Sequence, residues 1–145
     1  MVSNEELADG FIAALLAQDA KKAGEFLSED VDYWEANLPE PLKGREAVEA
    51  HLNQNWGTFT DTSIKVINRV TSGDWQADEM EWTGKNTGEL QISPDQTVPA
   101  TGKQATAWVM AVGKKSGDKI SDMRVYYDNL AVLAQLGLME QPGSD

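Results

Sequence analysis

Apolar residues in the first third of the chain recur at intervals of three and four positions, as they do on the buried side of a helix. The first such run consists of Leu7, Phe11, Ala14 and Leu15. It predicts a helix with Asn4 as its N-cap. The same spacing predicts a short second helix over residues 20–27 and a third helix over residues 45–55, with a short strand at residues 31–34 between them.

From residue 62 onward the period of the apolar residues changes to two, which is the period of a strand with one buried face. Four strands are predicted, at residues 62–71, 75–89, 103–112 and 119–128, and residues 93–102 are predicted to be a loop. A closing helix over residues 129–136 ends at Gly137. Helices followed by strands indicate an α+β fold, in which helices cover the concave face of a strongly bent antiparallel sheet and enclose a pocket.

Composition narrows the chemistry that this fold could carry. The 145 residues include one histidine and no cysteine, which excludes disulfides, a thiolate nucleophile and cysteine-based metal sites. Because there is also no glycine-rich turn between a strand and a helix, we expect no metal, nucleotide or flavin cofactor. One domain is expected over residues 1–141, followed by a flexible tail at residues 142–145.

Charge and hydropathy restrict the partners. The formal net charge is −12 at pH 7, and a surface of that sign repels nucleic acid phosphates and anionic membranes. No apolar run approaches the roughly 18 residues that would span a membrane, and residues 1–10 are acidic and polar, unlike a signal peptide. We therefore expect a cytoplasmic protein whose ligand is a small molecule.

Several motifs resemble those of one known family. They are PLKGREAV at residues 41–48, WTGKNTGEL at 82–90, PATGK at 99–103, KISD at 119–122, YD at 127–128 and QLGL at 135–138. In this order and spacing they resemble the SnoaL-like polyketide cyclases, also called ester cyclases, of the nuclear transport factor two-like superfamily. The resemblance implies a cone-shaped, cystatin-like α+β fold with an apolar pocket, and a homodimer formed through the outer face of the sheet.

The resemblance also implies a reaction. Cyclases of this family close a polyketide ring by intramolecular aldol condensation, without a metal or cofactor, and a side-chain acid/base moves the proton. The family's usual acid/base groups are absent here, because Asn86 stands where a histidine is common and the strand at residues 103–112 has no aspartate. Asn86 could still hydrogen-bond an enolate or carbonyl oxygen of a substrate.

Candidate catalytic groups lie on the predicted strand at residues 119–128. Strand alternation places five side chains on one face: Ile120, Asp122, Arg124, Tyr126 and Asp128. This face is either solvated or turned into the pocket. In the second case Asp122 is the acid/base, and Arg124 and Tyr126 contact the substrate. Asp128 is either the N-cap of the closing helix or a further catalytic carboxylate.

The single histidine, His51, shares a helix stripe with Val48, Leu52 and Asn55. A histidine on an apolar face is often a buried core residue. If His51 instead faces the pocket, it is a candidate catalytic base, because imidazole exchanges protons near neutral pH.

Tryptophans supply the candidate pocket walls. The chain contains five, and we expect four of them to line the pocket: Trp34, Trp56, Trp82 and Trp108. Core packing is the alternative for some of them, although a buried indole N–H then needs a partner. Aromatic walls suit a flat, conjugated or polycyclic ligand, whereas Trp75 lies beside a predicted turn and is not expected to reach it.

These features predict a metal-free cyclase or isomerase that acts on a small apolar or aromatic carbonyl compound. Two alternatives stay open. One is a non-catalytic ligand-binding or dimerisation module of the same fold. The other is an epoxide hydrolase that activates water with Asp122, Arg124 and Asp128, although the spacing of these residues on one strand does not match such a cluster well.

Overall fold

The run of helices and the run of strands fold onto each other in the computed structural model, which describes residues 2–139. Its helices are α1 (Asn4–Leu16), α2 (Ala20–Gly24), α3 (Arg45–Asn55) and α4 (Asn129–Gln135). Its strands are β1 (Leu27–Glu35), β2 (Leu42–Lys43), β3 (Phe59–Ser72), β4 (Trp75–Asn86), β5 (Leu90–Ser93), β6 (Gln96–Val98), β7 (Gln104–Ser116) and β8 (Lys119–Tyr127). The predicted α+β class is confirmed. The predicted tail at residues 142–145 lies outside the described residues.

Six strands form one curved sheet in the order β2-β1-β8-β7-β4-β3. Neighbouring strands are antiparallel except for β1 and β8, which run parallel. The prediction of a wholly antiparallel sheet was therefore wrong at this pair, because the chain between the two strands is long enough to supply the crossover that parallel pairing requires. The remaining strands, β5 and β6, form a separate hairpin that starts before the predicted loop at residues 93–102 and ends within it. Pro94 and Pro99 both lie outside its paired residues, so neither prevents the pairing.

The start of α1 differs from the prediction by one residue. Ser3, not Asn4, is the N-cap, because the Ser3 hydroxyl accepts a hydrogen bond from the backbone N–H of Glu6 at 3.1 Å. The Asn4 side chain instead donates to the backbone oxygen of Gly73, in the turn between β3 and β4, at 2.9 Å. The helix is thereby attached to one end of the sheet.

Strand β1 is longer than the predicted strand at residues 31–34. It takes over residues that were predicted to end the second helix, so that α2 stops at Gly24. An irregularity in its pairing with β8, between Leu27 and Asp32, interrupts the alternation from which a strand would be recognised. Beyond this point the alternation is regular, and Val31, Tyr33 and Glu35 all point to the inner face, which the helices cover.

A β-bulge in β8 changes which side chains share a face. Asp122 pairs with Lys114 and Ile120 pairs with Lys115, so Ser121 is an extra residue on β8. Ile120 and Met123 are both buried on the inner face, whereas Asp122 is on the outer face. The predicted grouping of Ile120 with Asp122 was therefore wrong, because strict alternation does not hold across a bulge.

A second bulge, in β3, brings a charged residue into the interior. Val66 pairs with Met80 and Asn68 pairs with Glu79, which leaves Ile67 unpaired and exposed. As a consequence Arg69 turns inward, where it contacts the buried carboxylate of Asp78 and the carboxylate of Asp9 on α1, each at 2.8 Å. These ion pairs raise the pKa of Arg69 and join α1 to the inner face of the sheet.

Two separate apolar cores pack beneath the sheet. The first lies between α1, α2, α3 and the strands β1 and β8, and includes Leu7, Phe11, Val31, Val48 and Met123. The second lies between α4 and the strands β4 and β7, and includes Ala105, Ala107, Val132 and Leu136. Val125 packs against the first core and Val109 against the second. Val109 is paired with Tyr127, so the end of β8 lies where the two cores meet.

Candidate functional site

A group of polar side chains lies on the inner side of the sheet, next to the first core. It consists of Tyr33 and Glu35 on β1, His51 and Asn55 on α3, and Tyr127 on β8, and we call it the inner polar cluster. The alternation of β1 turns Tyr33 and Glu35 inward. His51 lies on the side of α3 that was predicted as an apolar stripe, and this side of the helix faces Tyr33 and Glu35. The side chains of Glu35 and His51 are 17% and 13% exposed, which leaves each a small opening to solvent.

Glu35 is the centre of this cluster. Its Oε1 accepts a hydrogen bond from the Tyr33 hydroxyl at 3.0 Å and lies 2.5 Å from Nε2 of His51. Within residues 2–139, these contacts use only one of the two carboxylate oxygens. Glu35 therefore has one oxygen, Oε1, with two polar contacts, and a second oxygen, Oε2, with no hydrogen bond to residues 2–139.

The two tyrosines of the cluster are held in their protonated form. Burial raises the pKa of Tyr33 well above its ordinary value of 10.0, and the charge and hydrogen bond of Glu35 raise it further. Burial and then the charge of Glu35 also raise the pKa of Tyr127. At neutral pH both phenols are hydrogen-bond donors, and the Tyr33 hydroxyl is already committed to Glu35.

The predicted acid/base Asp122 and the predicted substrate-binding residue Arg124 lie on the opposite, outer face of the sheet. Arg124 Nη1 is 3.1 Å from Asp122 Oδ1 and 2.8 Å from Asp32 Oδ1, and Lys43 also contacts Asp32. We call these four residues the outer ion cluster. The pocket that alternation placed around Asp122 is therefore not on the side of the sheet that the helices cover.

Asp128, the other predicted carboxylate, caps α4. Its Oδ1 accepts a hydrogen bond from the backbone N–H of Ala131 at 3.0 Å. This is the capping alternative that the sequence left open. The structure thus does not bring Asp128 together with Asp122 and Arg124, the set that an epoxide hydrolase of the predicted kind would need.

The outer ion cluster should affect stability in acid. The hydrogen bond from Lys43, followed by the hydrogen bond and charge of Arg124, lowers the pKa of Asp32 from 3.8, against the effect of desolvation. Because the folded-state pKa is depressed, the stabilisation is present at neutral pH and is lost as the pH falls through that pKa.

We expect Asp32→Asn to cost up to about 1 kcal/mol of unfolding free energy at pH 7, and the difference from wild type to shrink as the pH falls below 3.8 and to vanish below the lowered pKa of the folded state. Urea denaturation at several pH values measures this. Asp30→Asn, at an exposed position of the same strand, is the control. A pH-independent difference for Asp32→Asn would contradict the assignment.

The tryptophans fall into two groups. Trp56, at the end of α3, packs against the first core, and Trp82 packs against the second core with its ring edge-on to Phe59 at 4.9 Å. Trp34 and Trp108 lie on the outer face, where Trp108 is 61% exposed. The structure therefore brings Trp56 and Trp82 to the inner side and separates them from the other two predicted pocket residues.

Tyr126 lies on the outer face of the sheet, as Trp34 and Trp108 do. Its ring centroid is 5.2 Å from that of Trp34, and its side chain is among the exposed hydrophobic groups of the sheet. The indole N–H of Trp34 donates to the backbone oxygen of Leu38 at 3.0 Å, so Trp34 also holds the loop that follows β1.

Asn86 is completely buried, and its side chain is fully hydrogen-bonded within the protein. Its Nδ2 donates to the backbone oxygens of Thr58 and Gly88 at 3.1 and 3.0 Å. Its Oδ1 accepts from the backbone N–H and the hydroxyl of Thr101 at 2.8 and 2.9 Å. An amide side chain has two donors and two acceptor lone pairs. All are used here, so Asn86 has no hydrogen-bonding capacity left for the predicted contact with an enolate.

A cavity of about 50 Å³ lies under α1, away from the inner polar cluster. Its walls include Leu7, Ile120 and Met123, and the buried polar side chains of Gln76 and Asp78. This volume holds a few water molecules and is too small for a polycyclic ligand. Within residues 2–139, no group of three or more histidine, aspartate or glutamate side chains is placed to hold a metal ion.

Among the residues of the cluster, His51 was predicted from the sequence, whereas Glu35, Tyr33 and Tyr127 were not. The signal for Glu35 was present, because it continues the alternation of Val31 and Tyr33. The predicted strand ended one residue too early to include it. Tyr127 lies on the face of β8 opposite Asp122, and none of the predicted site residues was on that face.

The chain is similar to known proteins in both its sequence family and its fold. The family model for SnoaL-like polyketide cyclases matches residues 5–136. IdmH from Streptomyces antibioticus is 22% identical, with 92% of this chain and 97% of that chain covered and a TM-score of 0.77. A protein with a ketosteroid isomerase-like fold from Catenulispora acidiphila, solved with trimethylamine, is 18% identical, with 94% and 96% covered and a TM-score of 0.77.

A more distant similarity links the chain to an LEH-like epoxide hydrolase from M. tuberculosis. The two are 16% identical, 90% of this chain and 86% of that chain are covered, and the TM-score is 0.66. At these identities the solved structures show a shared fold. None of the helices in residues 2–139 has the length and apolar character needed to cross a membrane.

Proposed function

Because the chain belongs to the SnoaL-like polyketide cyclase family, we propose that it catalyses metal-free proton transfer at a carbon next to a carbonyl group, as in aldol cyclisation or isomerisation. The acid/base site of this proposal is the inner polar cluster. One observation carries it: the Glu35 carboxylate is held at Oε1 by Tyr33 and His51 and keeps Oε2 for a substrate.

The proposed steps need only the groups of this cluster. Glu35 Oε2 takes the proton from the carbon, and the electron pair of that C–H bond becomes an enolate. The enolate carbon then forms a bond to a second carbonyl carbon of the same molecule, and the resulting alkoxide takes the proton back from Glu35. The protonated hydroxyl of Tyr127 supplies a hydrogen bond to the enolate oxygen.

The surroundings favour an uncharged, apolar substrate. The Glu35 carboxylate has no lysine or arginine partner among residues 2–139, and the net charge of −12 opposes the approach of anions. Trp56 and Trp82, which pack on the two cores, offer large aromatic surfaces on the inner side of the sheet. An aromatic or polyketide-like carbonyl compound fits these surroundings.

Ring closure of an aryl-substituted 1,5-diketone tests this function. The intramolecular aldol product loses water to give a conjugated cyclohexenone, which is followed by its ultraviolet absorbance. We expect a saturable rate above that of buffer, unchanged by EDTA. A protein that binds such diketones, as measured by quenching of tryptophan fluorescence, but never accelerates their closure would instead be the non-catalytic binding module.

We also propose that two copies of the chain pair through the outer face of the sheet. This face carries three exposed hydrophobic side chains on adjacent strands: Trp108, Met110 and Tyr126. Met110 and Tyr126 are directly paired. A contiguous exposed apolar surface of this kind is typical of an interface, and burying Trp108 against a second copy would remove the most exposed of the three from water.

The mass in solution tests this pairing. Light scattering should give about twice the chain mass of 15.9 kDa for the wild type and the single-chain mass for Trp108→Glu, because a buried unpaired carboxylate disfavours the interface. Leu130→Glu, at an exposed apolar position on α4, should stay dimeric. A monomeric wild type, or a dimeric Trp108→Glu, would contradict the proposed interface.

A further inference from the structure

Asn55 contacts His51 on the side of the imidazole ring that faces away from Glu35. Its Nδ2 lies 3.2 Å from His51 Nδ1 and donates to the backbone oxygen of His51 at 2.7 Å. The two residues are four positions apart on α3, which is the spacing at which side chains on one helix meet. One amide nitrogen carries two hydrogens, so it can make both contacts at once.

The backbone contact determines which end of the Asn55 amide faces the ring. With the amide reversed, its oxygen would lie against the backbone oxygen of His51, and two acceptors would repel each other. The nitrogen therefore points toward Nδ1. Because this nitrogen only donates, Nδ1 must accept, and a neutral His51 then carries its hydrogen on Nε2, 2.5 Å from Glu35 Oε1.

We propose that Asn55 is a positioning residue that acts together with Glu35 to hold His51 as the Nε2–H tautomer: Glu35 Oε1 accepts the hydrogen of Nε2 on one side of the ring, and the Asn55 amide keeps Nδ1 as an acceptor on the other. In this state Oε1 receives hydrogen bonds from both Tyr33 and His51. The proton of a substrate is then directed to Oε2. This last step rests on the proposed function, whereas the tautomer does not depend on it.

The single histidine makes this tautomer directly measurable. His51 gives the only imidazole signals of the chain, so ¹⁵N NMR of the untagged protein needs no assignment. The measurement is made at alkaline pH, which favours the neutral form of an imidazole, and in that form a ring nitrogen that carries hydrogen resonates well apart from one that does not. We expect the wild type to show hydrogen on Nε2 and none on Nδ1.

Asn55→Asp tests the role of the amide with almost no change in shape. The carboxylate offers Nδ1 only acceptor atoms, so Nδ1 should gain a hydrogen, and the Nδ1 signal should move to the position of a protonated nitrogen. Asn53→Asp introduces the same charge at an exposed position of α3 and should keep the wild-type pattern. Asn55→Ala leaves Glu35 Oε1 as the remaining contact that selects the tautomer, so Nε2 should keep most of the hydrogen while signals of the Nδ1–H form appear beside it.

Two results would overturn the proposal: a wild type with hydrogen on Nδ1, or Asn55→Asp and Asn55→Ala proteins that both keep the wild-type signals. Ring closure of the aryl 1,5-diketone gives a separate answer about the function. If the proposed function is correct, Asn55→Ala should lower kcat by up to about a hundredfold with little change in KM. A shifted tautomer without any diketone closure in the wild type would reject the function and leave the role of Asn55 supported.

Discussion

Replacing Glu35 with glutamine should slow ring closure of the aryl 1,5-diketone by about 10²–10⁴-fold, the usual size of a general acid/base contribution. Glutamine keeps the length of the side chain and an oxygen that accepts from the Tyr33 hydroxyl and His51 Nε2, so the cluster should keep its arrangement. It cannot accept a proton from carbon at neutral pH. The loss should therefore appear in kcat, with KM and the free energy of unfolding little changed.

Glu40→Gln provides a matched control for this experiment. It makes the same substitution at an exposed position, five residues further along, in the loop after β1. Its rate should equal that of the wild type. Full activity in Glu35→Gln would remove Glu35 from the mechanism, and a comparable loss in Asp122→Asn would favour the carboxylate that the sequence first indicated.

Asn86→Ala should destabilise the fold by about 3 kcal/mol or more, because each buried polar group left without a partner costs about 1–3 kcal/mol. The substitution leaves the backbone N–H and the hydroxyl of Thr101 without their acceptor and the backbone oxygen of Gly88 without its side-chain donor, whereas the Thr58 oxygen keeps the backbone N–H groups of Thr87 and Gly88. These contacts connect the start of β3 to both ends of the segment that contains β5 and β6. Urea denaturation followed by circular dichroism measures the change.

Asn68→Ala gives the reference for this substitution on the same sheet. Asn68 is exposed, and its one side-chain contact is with Glu79 at 2.8 Å, so its loss should cost no more than about 0.5 kcal/mol. If the effects of Asn86→Ala and Asn68→Ala were similar, Asn86 would not be the structural link described here. Amide exchange should also show that the β5–β6 hairpin opens more readily in Asn86→Ala.

The periodicity of apolar residues predicted most of the fold. The third helix, the long strands and the closing helix were each located to within a few residues, because side chains that face the interior recur at a regular spacing over most of each element. The errors in strand alternation share one physical origin. At Ser121 and Ile67 an extra residue shifts the alternation, and the irregularity between Leu27 and Asp32 hides the first half of β1.

The candidate site was harder to predict because its members come from distant parts of the chain. His51 was identified by its chemistry and its helix stripe alone. Glu35 became a candidate only when the structure brought it within 2.5 Å of His51, sixteen positions away. Pairing of β1 with β8 adds Tyr127, and no local pattern indicates that pairing. Asp122, by contrast, was predicted to face the pocket from the composition of one strand alone. That composition does not show on which side of the sheet the helices lie.

The parallel pairing of β1 with β8 has a consequence for how the chain is made. Asp32 and Arg124, which contact each other across this pair, are 92 positions apart. On the ribosome β1 emerges long before its partner, and the first core stays incomplete until Ile120 and Met123 have followed. Such non-local contacts favour slow folding. The nascent chain therefore carries exposed apolar helices for most of its synthesis, and this is the period in which a chaperone would protect it from aggregation.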